Sequence, residues 1–214
     1  MKNFEYAAPR SVEEAVQLLA EPGRESVVLA GGTDLVGLMR TMVVQPDRVV
    51  YLGHIRGLDR IQVDEEGNAW VGAMVCLRDF WSDNRMDVYP ALKQVIQDIS
   101  SIQLQYQGTL VGDLLQRPRC WFFRNGHGLL AQDGRLVREG DNRYHAILGH
   151  AGPAKFVHAS RLAPAAIALG AFARVVGPRP RDEQFIPVEQ LFRTPENEQQ
   201  RENTLVPGQL VTHI

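Results

Sequence analysis

Apolar positions fall in short blocks whose period changes along the chain. Residues 27–30 are an uninterrupted apolar run of strand length; after Gly31-Gly32-Thr33-Asp34-Leu35, the residues Val36, Leu38, Met39 and Met42 take up helical spacing. Upstream, Phe4, Tyr6 and Ala8 alternate as a strand does, and Pro9 ends it. Ser11 with Glu14 makes a capping box before Val12, Ala15, Val16, Leu18 and Leu19, and Pro22-Gly23 stops that helix. With a further strand at 48–52 this predicts β-α-β-α-β.

Beyond residue 55 the pattern is mixed. Residues 60–64 and 69–73 predict a hairpin, 77–81 a short helix, and Val95, Ile96 and Ile99 another. Strands are expected at 144–148, around Phe156 and at 171–176, with an apolar helix over 162–169 and a final strand near 207–214. Hairpins beside runs of helices predict an α+β fold and not a doubly wound sheet. The expected organisation is a small amino-terminal lobe, residues 1–55, and a larger mixed lobe, 56–214.

The candidate chemistry sits at two turns. Adjacent glycines at 31 and 32 permit positive φ and close approach of a ligand, and the neighbouring amides suit phosphate oxygens, with Thr33 or Asp34 as a helix cap. The pattern is neither a dinucleotide GxGxxG nor a P-loop. Taken alone it is more often a tight turn with a cap than a cofactor site. Gly108-Thr109-Leu110-Val111-Gly112-Asp113-Leu114 repeats the same residue types, and two such turns would hold a diphosphate from opposite sides. Residues 117–142 read as an excursion in which aromatics flanked by arginines either stack on a ring system or pack on their own lobe.

Charge and composition narrow the partners. The formal net charge is −2, with acids and bases interspersed, which argues against a nucleic-acid binder. No apolar run is long enough to span a bilayer and no signal peptide opens the chain, so a soluble cytoplasmic protein is expected. Cys76 and Cys120 are the only cysteines, and the histidines lack a compact ligand pattern, so no metal site is expected.

These segments, in this order, resemble the FAD-binding medium subunits of the molybdenum hydroxylases, the xanthine dehydrogenase and carbon monoxide dehydrogenase family with a PCMH-type FAD domain. The resemblance rests on Leu29-Ala30-Gly31-Gly32-Thr33-Asp34-Leu35, the second turn, Arg143-Tyr144-His145-Ala146-Ile147-Leu148-Gly149 and Leu162-Ala163-Pro164-Ala165. It implies FAD as cofactor, held by Leu29, Ala30, Gly31, Gly32, Thr33, Asp34, Leu35, Gly108, Thr109, Gly112, Asp113, Leu114, Ile147, Arg161 and Leu162, with no catalytic side chain. It also implies a hetero-oligomer with a molybdenum-cofactor large subunit and a [2Fe-2S] small subunit. Electrons would pass from the clusters through FAD to NAD or another acceptor.

Residues 117–124 resemble a branch whose subunit also carries an iron-sulfur cluster, but Cys120 has no partner cysteines between 126 and 140, so no cluster is expected. Val111 replaces a glycine of the second turn, Gln105 and Tyr106 replace an Arg-Asn pair, and Arg161 replaces an aspartate. These departures motivate an alternative, a degenerate FAD domain serving as a structural or assembly subunit. Residues 205–214 resemble the start of a further carboxy-terminal domain, so a truncated or naturally shortened subunit is expected.

Overall fold

A computed structural model describes residues 1–130, 143–148, 152–179 and 181–214. The amino-terminal part is the predicted β-α-β-α-β unit. Strands β1 (Glu5–Ala7), β2 (Ser26–Leu29) and β3 (Arg48–Tyr51) form a parallel sheet in the order β1-β3-β2, with α1 (Val12–Ala20) and α2 (Leu35–Arg40) as connections. Ser11 Oγ accepts from the Glu14 amide at 3.1 Å. The Glu14 carboxylate reaches one residue further back than in a standard capping box, to the Arg10 amide at 2.8 Å. Ser11→Ala is expected to cost about 1 kcal/mol in a denaturant melt, and an unchanged midpoint would show that the Glu14–Arg10 bond suffices.

The hairpin also forms, from β4 (Ile61–Val63) and β5 (Ala69–Val71), followed by α3 (Leu77–Ser82), α4 (Pro90–Gln97), α5 (Ile102–Gln107), α6 (Leu110–Leu114), α7 (Trp121–Arg124) and α8 (Leu162–Ala168). An antiparallel sheet β7-β6-β8 closes the described fold, from β6 (Phe172–Val176), β7 (Glu183–Pro187) and β8 (Leu210–His213). β8 is paired on both sides. It ladders with β6, and the Val71 and Ala73 amides donate to Ile214 and Thr212 carbonyls at 2.7 and 2.8 Å.

One core cluster joins the parts: Ala15, Val16 and Leu19 of α1 and Val50 of β3 pack with Val111, with Val175 of β6 and with Val211 of β8. The residues before and after position 55 therefore bury their apolar faces against each other. A second cluster packs α3, α4, α6 and α8 around Phe80, Ile96, Leu114 and Leu162. A small third one, Leu38, Cys120, Phe123 and Leu129, seats α7 on α2.

Several expectations are corrected. Residues 144–148 form turn and bend and not a strand: the Ala146 N–H donates to the Lys155 carbonyl at 2.9 Å, and the Tyr144 ring stacks on Trp121. Phe156 lies in irregular chain and packs on the third cluster. The second turn is largely helical, as α6. Helix α5 and strand β7 were not expected. α5 buries no residue fully, and β7 is a largely exposed edge strand, so neither shows an apolar period. The expected excursion at 117–142 is helical at α7; residues 131–142 lie outside the described residues, as does Gly149.

Candidate functional site

The two turns meet. A Cβ on Gly31 would stand 1.8 Å from the Gln107 carbonyl oxygen, and the Gln107 side-chain amide donates to the Gly31 carbonyl at 3.1 Å. Gly31 is therefore required by the backbone of the second segment, not by positive φ or by a ligand. Positive φ belongs to Gly32, at +72°. Thr109 caps α6 by accepting from the Gly112 amide at 3.0 Å, and a Cβ on Gly112 would crowd that hydroxyl at 2.8 Å.

Asp34 occupies the N-cap position of α2 without capping it. Its carboxylate instead accepts from the Arg117 amide at 2.8 Å and from the Arg124 guanidinium at 2.7 Å. The first turn is thereby tied to the segment before α7 and to the last residue of that helix. Arg117 continues the chain of contacts: its Nε lies 2.6 Å from Glu202 Oε1, and its guanidinium covers the Phe123 ring at 4.9 Å. Burial pushes the Arg117 guanidinium below its ordinary value, and Glu202 opposes that shift.

Between these walls lies a cavity of about 560 Å³, within the range of roughly 300–1,000 Å³ usual for small-molecule and cofactor sites. Ala30, Gly31, Gly32, Thr33, Asp34, Leu35, Thr109 and Gly112 line it, so most of the expected residues of the two turns face one space. Gly108 lies behind Gly31, against the first turn. Leu29 packs in a neighbouring apolar cluster. Asp113, Leu114 and Leu162 point inward, beneath α6. Burial pushes the Asp113 carboxyl above the usual range, opposed by the Ser160 hydroxyl that donates to it at 2.5 Å. Leu114 and Leu162 are core residues. Ile147 is 89 % exposed on the turn after Arg143, and the Arg161 guanidinium donates to the Asp98 carbonyl at 3.3 Å. None of these lines the cavity.

The departures from the family pattern take structural roles. Val111 is helical and buried in the first core cluster, so no positive φ is asked of it, and it also lines the cavity. Gln105 caps α4 by donating to the Ile96 and Ile99 carbonyls at 3.2 and 2.8 Å. Trp121 stacks on Tyr144, and Phe123 packs inward on Leu38.

The cavity has a third wall that sequence reading missed: Arg193, Gln199, Arg201, Asn203 and residues 205–211. It comes from a polar stretch without periodicity, and its only signal was the spacing of two arginines and an asparagine among other polar residues.

The donor chemistry suits a dinucleotide. Among the described residues, nothing accepts from the backbone amides of Gly31, Gly32, Thr33 or Asp34, four successive donors at the cavity wall. Four arginines and two carboxylates line the cavity, and one of those carboxylates, Asp34, is already engaged. Such a wall takes phosphate oxygens without a dedicated lysine.

The comparisons with known proteins agree with this geometry. Residues 2–214 match the family described as the FAD binding domain in molybdopterin dehydrogenase. The aldehyde oxidoreductase FAD-binding subunit PaoB of Escherichia coli K12 is 29 % identical over 219 residues, covering all of this chain and 68 % of that protein. The carbon monoxide dehydrogenase medium chain of Hydrogenophaga pseudoflava is 36 % identical over 143 residues, 65 % of this chain and 48 % of that one. Carbon monoxide dehydrogenase from the same organism superimposes with a TM-score of 0.68 at 23 % identity, over 99 % of this chain and 57 % of that one. Quinoline 2-oxidoreductase from Pseudomonas putida 86 gives 0.69 at 20 %, over 100 % and 59 %. The chain thus spans under three fifths of the length of these solved relatives, and it has their fold. The chain belongs to the family of FAD binding domains in molybdopterin dehydrogenases, with FAD as its cofactor.

Proposed function

We propose that this chain holds FAD in the cavity between the two turns and serves as the electron-transfer subunit of a molybdenum hydroxylase. Its partners in that reading are a molybdenum-cofactor large subunit and a [2Fe-2S] small subunit, with NAD or another acceptor taking the electrons. The observation that carries it is the row of four unaccepted amides at Gly31, Gly32, Thr33 and Asp34 facing a cofactor-sized cavity. When bound, the flavin supplies the redox chemistry, and the protein supplies binding, orientation and electrostatics.

In this reading the amides of the first turn bind one face of the diphosphate, and the α6 turn at Thr109 and Gly112 closes on the other. Asp34 orients the first turn through Arg117 and Arg124. No side chain is assigned a proton-transfer role. A flavin-free scaffold was motivated by Val111, Gln105, Tyr106 and Arg161 together; the helical position of Val111, which asks no positive φ of it, weakens one of those grounds.

The test is the visible spectrum of the purified chain after incubation with excess FAD and desalting. Close to stoichiometric flavin is expected. Gly32→Val should retain much less, because a β-branched residue is strained at φ +72°. A folded, colourless wild-type chain would overturn the reading.

A further inference from the structure

We infer that the third wall is a recognition element, with Arg201 and Asn203 donating to the phosphate and ribose oxygens of the dinucleotide from the side opposite the Gly31–Asp34 amides. The inference rests on the FAD reading of the same cavity and deepens it.

Three observations carry it. The first is how the wall is built: Phe192 and Asn203 form an antiparallel bridge, the Arg193 amide donates to the Glu202 carbonyl at 3.1 Å, and Arg193 Nε donates to the Arg201 carbonyl at 3.0 Å. A short pairing therefore sets Arg193, Arg201 and Asn203 side by side along the cavity. The second is Asn203, which is only 8 % exposed and yet lines the cavity. Its Oδ1 accepts from the Leu205 amide at 3.2 Å, but its Nδ2 donates to no described residue. The residue is held in place by its surroundings while this amide nitrogen is left to donate to a ligand oxygen in the cavity.

The third is an imbalance of charge. Among the described residues Arg201 has no carboxylate partner. The adjoining Glu202 carboxylate faces Arg117, and the Glu198 carboxylate accepts from the Leu129 and Leu130 amides at 2.9 and 2.7 Å. Arg201 also stands near enough to Arg117 for their repulsion to weigh on the latter. Two cations set close together beside a cavity, one of them lacking a counter-ion, match an anionic guest. A diphosphate carries its charge on oxygens that need several donors, and on the α6 side the Gly112 amide is already taken by the Thr109 hydroxyl, which leaves room for donors from the third wall.

The experiment is a fluorescence titration of the full chain with FAD at low and high salt, for wild type, Arg201→Gln and Asn203→Asp. Asn203→Asp keeps the acceptor for the Leu205 amide while placing a charged oxygen where Nδ2 stood. Each variant is expected to bind FAD about tenfold more weakly, with an unchanged melting temperature of the flavin-free protein. Arg201→Gln should also flatten the loss of affinity with added salt. Affinities within about twofold of wild type for both variants, with FAD still bound, would overturn this inference and leave the FAD reading standing. A wild-type chain that takes no FAD would overturn both. Should Asn203→Asp fail to fold, Arg201→Gln alone decides, because the exposed Arg201 side chain makes no ion pair with a described residue.

Discussion

Alanine at position 31 is expected to unfold the junction of the two turns. The added Cβ would lie 1.8 Å from the Gln107 carbonyl oxygen and 3.3 Å from the Gly108 Cα, and both obstacles are backbone. No rotamer change relieves the contact, so the first turn and α5 must part. Overpacking of this kind costs about 3 kcal/mol or more, which for a chain of this size lowers the melting temperature by roughly 10 °C. Thermal melts of Gly31→Ala and wild type, both without FAD, measure it. An unchanged melting temperature would mean that the two turns do not touch as described. Flavin retention should fall too, since moving the turn moves its four amides.

The second large effect is expected at the buried pair of Arg117 and Glu202. Glu202 is 5 % exposed and makes its ion pair with Arg117 at 2.6 Å. Glu202→Gln leaves a largely buried guanidinium without its counter-charge, a loss of about 3–5 kcal/mol. Replacing both partners by apolar side chains, Arg117→Met with Glu202→Leu, should recover most of it, because the desolvation of two charges is then avoided. Denaturant melts of Arg117→Met, Glu202→Leu and the double variant give the coupling directly. A double variant as unstable as the sum of the singles would remove the pair from the account. The flavin reading adds a second expectation: the double variant should fold yet hold FAD less well, since Arg117 lines the cavity.

The parts of the fold legible in the sequence were those where local and tertiary demands coincide. The apolar run at 27–30 and the Ser11–Glu14 cap each specify one structure, and β2 and α1 form there. The two turns were legible as partners because their residue types repeat. What failed was reading a cause from one segment. Gly31 appeared to make room for a ligand, whereas the Gln107 backbone fills that space. Val111 stood out as replacing a glycine of a turn that is in fact a helix. Asp34 appeared to cap α2, whereas its carboxylate holds residues more than eighty positions away. The third wall was invisible for the same reason: Asn203 and Arg201 matter through where the Phe192–Asn203 bridge puts them, and no periodicity marks that.

The cavity is assembled from three stretches far apart in sequence, around residues 30–35, 109–117 and 193–211, with β8 wedged between β6 and the end of β5. Such distant contacts are the slowest for a chain to make, since loop closure must precede them. The site is therefore complete only when the whole domain is, and a ligand that fits it recognises the finished fold alone. By mass action its supply then governs how much of the chain stays folded. In a cell short of flavin, the same protein would be a more fragile one, open for longer to proteolysis.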